Sequence, residues 1–419
     1  MKTFSRIIAL TECIALLAVP SCKSKNTEQV IKVQDKQTQI NLSWWGTDAR
    51  NKYTIKAVEL FEEKYPDIKV NCSYSEWSGY EERSKIQMRS NTEADVMQIN
   101  FSWLSQYSED GEGYYDIKSL DNFDISNFSE DVLEYGMKND RLNAVPIAMN
   151  TETVYINQDV YDRYGLDTPK TWNDFFNAAK VMKEDGIYPI SGASKSIWLY
   201  LIAHTEQVCG KKIIENNKLN FKSEDFQNMI EFYKQLVDES VIPQLEYYDN
   251  KEIAKGTYAG SVAWVSDATN YFGAMIEEGT NVITTDYTTI DGNNVGEGWY
   301  AKPATMYAIS KNTEHPEEAG LLLDFLMNSQ EMAELQGVEK GIPLSNSAKK
   351  TLEKNYQLYG IQYDASQKMN ECQLSELSPV LENNTLIDDF FAACNDVLYD
   401  KASAEDAADA FYIMAKEYF

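Results

Sequence analysis

A regular exchange between two hydrophobic periods constrains this chain more than any other feature. From Gln39 onward Ile40, Leu42 and Trp44 alternate with polar residues as in a strand. After the turn Trp45, Gly46, Thr47, Asp48, the apolar positions Ile55, Val58, Phe61 and Tyr65 recur at near-helical spacing until Pro66 stops them. The exchange repeats: Ile68, Val70 and Cys72 make a second strand, residues 80–88 a helix, and residues 94–99 a third strand. Strand, loop and helix in series predict an α/β architecture. At 419 residues the chain exceeds what one core accommodates, so two lobes are expected.

Each of these strands runs out into an aromatic beside a polar residue: Trp45 with Asp48, Glu76 with Trp77, and Asn100 with Trp103. Open α/β sheets bind ligands beyond the carboxyl ends of their strands, so the repetition marks these six as candidate ligand residues. One such Trp alone is more often core, and Trp44, which alternates into the first strand, is assigned there.

Residues 143–157, NAVPIAMNTETVYIN, read as two short strands separated by a polar knot at Asn150, Thr151, Glu152 and Thr153. Pro146 suits a strand end or edge. The stretch is a candidate hinge, with Glu152 in its knot. Beyond it a fresh α/β unit begins. Thr171 and Asp174 have capping-box spacing ahead of Phe175, Phe176, Ala179 and Met182, which places Trp172 in a first helical turn, where it packs. Residues 187–192 are expected as strand and turn, and residues 197–206 and 223–240 as helices. A short buried strand at 262–265 delivers Trp264 and Asp267, and the glycine-flanked loop at 296–300 carries Trp299. Residues 307–310 read as strand and 316–327 as helix, residues 341–344 break the pattern, and 385–399 and 403–419 close the chain as amphipathic helices.

Charge excludes some partners. With 66 acidic residues against 38 basic ones, the formal net charge of -28 repels nucleic acid and anionic lipid. Aromatics make up 12% of the chain, including 27 Tyr and 8 Trp, while His is limited to His204 and His315. This favours stacking and hydrogen bonding over imidazole chemistry. The phosphate-binding, serine-hydrolase, zincin and dinucleotide motifs are missing; Gly111 and Gly113 begin a glycine pattern that Asp116 interrupts. Neither cofactor nor metal is expected. Cys72, Cys209, Cys372 and Cys394 are scattered without C-x-x-C spacing and read as buried thiols, with a Cys372–Cys394 disulfide open after export.

The first residues carry Lys2 and Arg6, an apolar run over 7–19 broken by Glu12, and Val19, Pro20, Ser21 before Cys22. This is the pattern of an export signal over 1–22, similar to a bacterial lipobox although Pro20 stands where a small residue is commoner. Lipidation at Cys22 and a polar tether over 23–39 would anchor the protein to the outer face of the cytoplasmic membrane.

WWG at 44–46, EWSGY at 76–80, ADVMQIN at 94–100, VYIN at 154–157, YGLDTPKTW at 164–172, GTYAGSVAW at 256–264, KPATMYAISKNTEHPEEA at 302–319 and GIPLSNSA at 341–348 occur in an order and spacing that resemble the extracellular solute-binding proteins, family 1, of carbohydrate ABC importers. The resemblance implies a bilobal, periplasmic-binding-protein-like (Venus flytrap) fold of two α/β sandwich lobes with a multi-crossing hinge. It implies a first lobe of residues 40–149 plus about 304–335, a second of 153–300 plus about 338–419, and crossings near 150–152, 301–303 and 336–337. It also implies a monomeric lipoprotein without catalysis of its own, capturing an oligosaccharide and presenting it to permease subunits.

Pyranose rings stack their C–H faces on Trp or Tyr and need fixed polar partners for their hydroxyls. The candidate ligand set Trp45, Asp48, Glu76, Trp77, Asn100, Trp103, Glu152, Trp264, Asp267 and Trp299 supplies both. The nearest likeness is to a branch that includes oligogalacturonide binders, which resemblance gives an Arg where this chain has Glu152. A carboxylate facing a uronate in a partly dry cleft would repel it, so a neutral oligosaccharide is expected. Two alternatives share these residues: an exported glycoside hydrolase with a carboxylate pair, and a surface glycan adhesin.

Overall fold

The computed structural model describes residues 37–293 and 296–419. The expected signal segment, most of the tether and the lipidation at Cys22 lie outside the described residues. Eight strands form one mixed sheet: β1 (Thr38–Trp45), β2 (Ile68–Ser75), β3 (Val96–Ile99), β4 (Ala144–Asn157), β5 (Gly260–Trp264), β6 (Val282–Thr284), β7 (Tyr300–Ile309) and β8 (Ser375–Glu376). Their order is β6-β4-β7-β3-β1-β2, with β5 added to β4 and β8 to β7. β1 runs parallel to both β2 and β3, while β7 runs antiparallel to β3 and β4.

Side-chain alternation decides what each face of the sheet buries. On β1, Ile40, Leu42 and Trp44 point into one core with Phe61, Val145, Ile147, Tyr307 and Phe325, whereas Trp45 points to the other face with Tyr80, Met97, Trp103 and Met306. Trp44 is fully buried, as its place in the alternation requires. Further along β4 the rule recurs, with Val154 and Ile156 in a second large core alongside Trp198, Tyr200 and Phe390, and Tyr155 on the opposite face with Phe272. The protein is bilobal, and each lobe is helices packed on both faces of its part of the sheet.

Local signals act where expected. Thr47 caps the helix Asp48–Lys64 by accepting from the Arg50 N–H, and the helix ends at Tyr65 before Pro66. Thr171 and Asp174 form a reciprocal capping box, and Trp172 packs edge-on to Tyr200 and His204.

Four readings change. Residues 143–157 are not two strands with a break: β4 is continuous over fourteen residues. Its first half pairs with β7 from Ala144↔Ala308 to Thr151↔Ala301, and its second half pairs with β5 and β6. Flanking strands satisfy the backbone of the polar knot, so no loop is needed. Pro146 sits where the register with β7 shifts, between Thr305 and Met306. Residues 187–192 contribute only isolated bridges, Tyr188 to Tyr258 and Gly192 to Val262. Packing also changes lobes later than residues 336–337. Ala348 and Leu352 cluster with Ala333, the Leu344 N–H donates to the Ile147 carbonyl, and Asn355 donates to Glu334, whereas Ile361 packs with Tyr155 and Ile253. Finally, Cys394 is a free buried thiol and forms no disulfide with Cys372, and Cys72 is exposed.

Candidate ligand cleft

Three elements converge beside the hinge. β1 ends at Trp45, β3 ends at Ile99 just before Asn100, and β5 runs into the short turn Val265–Asp267. Trp45, Trp77, Asn100, Ser266 and Asp267 line a cavity of about 210 Å³ together with Arg50, Ala304, Thr305 and Lys340. The first lobe thus presents aromatic rings, the second a carboxylate and a hydroxyl, and β7 forms part of the floor.

The aromatic wall is braced from behind. Trp45 meets Trp77 edge-on at 4.9 Å, Trp77 lies against Trp103 at 6.1 Å, and Trp103 stacks on Tyr80 at 6.0 Å. Tyr80 is locked by donating to the Gln98 carbonyl at 2.7 Å. Trp77 is 37% exposed and Trp103 only 2%, so Trp77 offers ring surface and Trp103 supports it. Asn100 spends its Oδ1 on an Asx turn, accepting from the Ser102 N–H and hydroxyl at 3.0 and 2.9 Å.

Both cations that line the cavity are engaged by protein groups, Arg50 by a carboxylate and Lys340 by neutral oxygens. Arg50 Nε donates to both carboxylate oxygens of Glu339, at 2.7 and 2.9 Å, and Tyr53 adds a third bond to that carboxylate. Lys340, 2% exposed, donates to Gln98 and Tyr307 at 3.0 and 3.1 Å. Burial, helped by Arg50, pushes its amine down to about 7. Burial raises Asp267 above the usual carboxylate range. The Thr305 hydroxyl is buried and has no protein partner among the described residues.

The remaining candidates fall in three places. Asp48 and Glu76 are exposed at the starts of the helices Asp48–Lys64 and Trp77–Ser90 and do not line the cavity. Trp299 is core: 2% exposed, packed on Tyr200 and Tyr287, its Nε1 donating to the Thr288 carbonyl. The glycines beside it serve that burial; Gly298 has φ +75° and a Cβ there would lie 2.6 Å from the Ala203 carbonyl oxygen. Trp264 is half-buried beneath the Lys302 ammonium, 4.8 Å above its ring.

Glu152 does not present a carboxylate to the cavity. It is 2% exposed, pairs in register with Trp264, and accepts from the Ser196 hydroxyl at 2.9 Å. Its Oε2 is buried and has no partner among the described residues. Burial pushes the acid up to about 8, against the opposing pull of that hydrogen bond and of Lys302 and Lys195. The cations themselves are engaged by Glu382, Lys302 at 2.5 Å and Lys195 at 3.6 Å. The knot residue that reaches across the hinge is Asn150, which donates to the Ser266 hydroxyl and accepts from the Ser266 N–H.

Arg50, Lys340 and Thr305 were not legible as site residues. Arg50 lies two residues past Asp48 in the same first helical turn, Lys340 precedes a pattern-breaking Gly341, and Thr305 sits at a strand irregularity that no sequence period signals.

An aromatic-lined cavity between two α/β lobes whose strands run continuously through the hinge defines a ligand-capturing protein. A bacterial extracellular solute-binding protein model matches residues 45–333, and the chain belongs to that family. The melibiose/raffinose/stachyose-binding protein MelE of Bacillus subtilis is 22% identical over 248 residues, 59% of this chain and 50% of MelE, so the match spans half the length of that relative. Among solved structures, a periplasmic solute-binding protein of Pectobacterium atrosepticum is 28% identical with a TM-score of 0.84, covering 91% of this chain and 98% of that one. A periplasmic oligogalacturonide-binding protein of Yersinia enterocolitica, in complex with saturated digalacturonic acid, is 28% identical with a TM-score of 0.81 over the same shares. Among the described residues no helix is long and apolar enough to cross a membrane, and no cluster of His, Cys, Asp or Glu could hold a metal ion.

Proposed function

We propose that this chain is the substrate-capturing component of a carbohydrate ABC importer, anchored through Cys22, and that its cleft takes a neutral oligosaccharide and delivers it to permease subunits. The observation that carries the reading is the cavity shared by Trp45 and Trp77 on one lobe and Asp267 and Ser266 on the other. Ring faces suit pyranose C–H surfaces, and the carboxylate and hydroxyls suit sugar hydroxyls. Ligand that binds both walls favours the closed arrangement of the lobes, because only there are both sets of contacts made.

Neutrality of the ligand is supported by the existing bonds of the nearby cations rather than by repulsion from Glu152. Arg50 is held by Glu339, Lys302 by Glu382, and Lys340 is bonded to two neutral groups. No cation on this cavity lacks a protein partner, so a uronate would have to displace an existing bond. Isothermal titration calorimetry with xylo-, manno- and malto-oligosaccharides and with digalacturonate is the test. Micromolar binding of a neutral series is expected, and binding of digalacturonate alone overturns the neutral reading.

An oligosaccharide that shifts Trp fluorescence without new reducing ends over hours is the behaviour of a binder, and release of reducing ends would mean a hydrolase. Closure of the lobes on ligand, seen by small-angle scattering, separates it from an adhesin with an open face.

A further inference from the structure

The cavity beside Trp45 and Trp77 is too small to be the whole site. At about 210 Å³ it falls below the roughly 300–1,000 Å³ typical of small-molecule pockets. A second cavity of about 600 Å³ is lined from the first lobe by Ser105 and Lys138, and from the second by Tyr300, Ser378, Val380 and Tyr418 among others.

Three walls lead from one cavity to the other. On the first lobe, Asn100 borders the small cavity and Ser105, on the short helix Ser102–Tyr107 that follows it, borders the large one. Along the floor, β7 gives Ala304 to the small cavity and Tyr300 to the large one. Lys302 stands between them on the same face of the strand as Tyr300. On the second lobe, Trp264 lies under Lys302, Lys302 pairs with Glu382, and the turn that holds Glu382, Pro379–Glu382, carries Val380 into the large cavity. Four residue steps of strand, from Tyr300 to Ala304, separate the two ends, about 13 Å at the usual rise, which is longer than a disaccharide.

We infer that the two cavities are the ends of one cleft, and that the ligand is an oligosaccharide longer than a disaccharide whose further units occupy the large cavity. This rests on the sugar-binding reading above and adds to it a second subsite and a chain length. The chemistry of the large cavity suits that role. The Tyr418 ring and Val380 offer apolar surface, Ser105, Ser378 and Lys138 offer hydroxyl and ammonium partners, and Lys138 is positioned by donating to Ser105 at 3.4 Å. The Lys302–Glu382 pair at the waist supplies a donor and an acceptor to the units that pass over it.

The test is calorimetric titration of the full chain with malto-, manno- and xylo-oligosaccharides from disaccharide to hexasaccharide. In the series that binds, affinity should rise at least tenfold from the disaccharide to the longest member. Ser105→Trp and, from the opposite wall, Ser378→Trp narrow the large cavity and should each reduce that ratio toward one. Trp77→Ala, at the other end, should weaken every length together. A disaccharide that binds as tightly as its hexasaccharide overturns the inference and leaves the sugar-binding reading standing. So does a length dependence that survives both Trp substitutions in variants with unchanged melting temperatures. Absence of binding in all three series and to digalacturonate overturns the sugar-binding reading, and this inference with it.

Discussion

Replacing Glu152 with Gln isolates the energetics of one buried acid. Glu152 is 2% exposed, bonded through Oε1 to Ser196, and without a partner at Oε2 among the described residues. Burial raises it from an ordinary 4.5 to about 8. The native state therefore keeps a proton that the unfolded chain loses, and the stability this group contributes is complete below pH ~4.5 and lost as pH rises through ~8. The full difference corresponds to at most about 5 kcal/mol, of order a few once local relaxation is allowed. Glutamine keeps the shape and an acceptor for Ser196 without an ionisable group. In urea unfolding near pH 5 the variant should be within about 1 kcal/mol of wild type, and near pH 8.5 it should be more stable by a few kcal/mol. An equal difference at both pH values refutes the argument. A larger loss at the higher pH refutes it too, and would mean that Glu152 is ionised and paired with Lys302. The same burial makes Glu152→Arg a folding problem rather than a specificity switch, since it would force a guanidinium into a site that already disfavours a carboxylate.

Lys340 should act with the opposite sign: its amine is pushed down to about 7, so the stability it contributes grows as pH rises from ~7 toward ~10, and Lys340→Met should flatten that rise in thermal unfolding. Trp77→Ala should cost at least tenfold in oligosaccharide affinity with little change in melting temperature, because Trp77 is 37% exposed at the cavity. Trp299→Ala should behave the other way, losing about 3–5 kcal/mol of stability in denaturant unfolding because it empties a packed core site. Gly298→Ala should cost roughly 1–3 kcal/mol in the same assay, from strain at positive φ and from contact with the Ala203 carbonyl.

The amino-acid sequence by itself determined the elements and their class. Alternation in β1 assigned Trp44 to the core, the Thr171–Asp174 spacing placed Trp172 in a helix start, and the strand ends at Trp45, Asn100 and Asp267 do meet at one cavity. These are short-range consequences of period and capping, which neighbouring residues fix. What only the tertiary structure decided is exposure and pairing. Whether an aromatic after a strand faces ligand or core depends on what the rest of the chain lays over it: Trp77 stays open, while Trp103 is covered by Tyr80 and Trp299 by Tyr200 and Tyr287. The polar knot at 150–153 looked like a loop because polar residues interrupt apolar ones, but β7 and β5 pair with it and make it strand. Glu152 then lies inside that strand beneath Ser196, and burial, which no local pattern records, sets its charge.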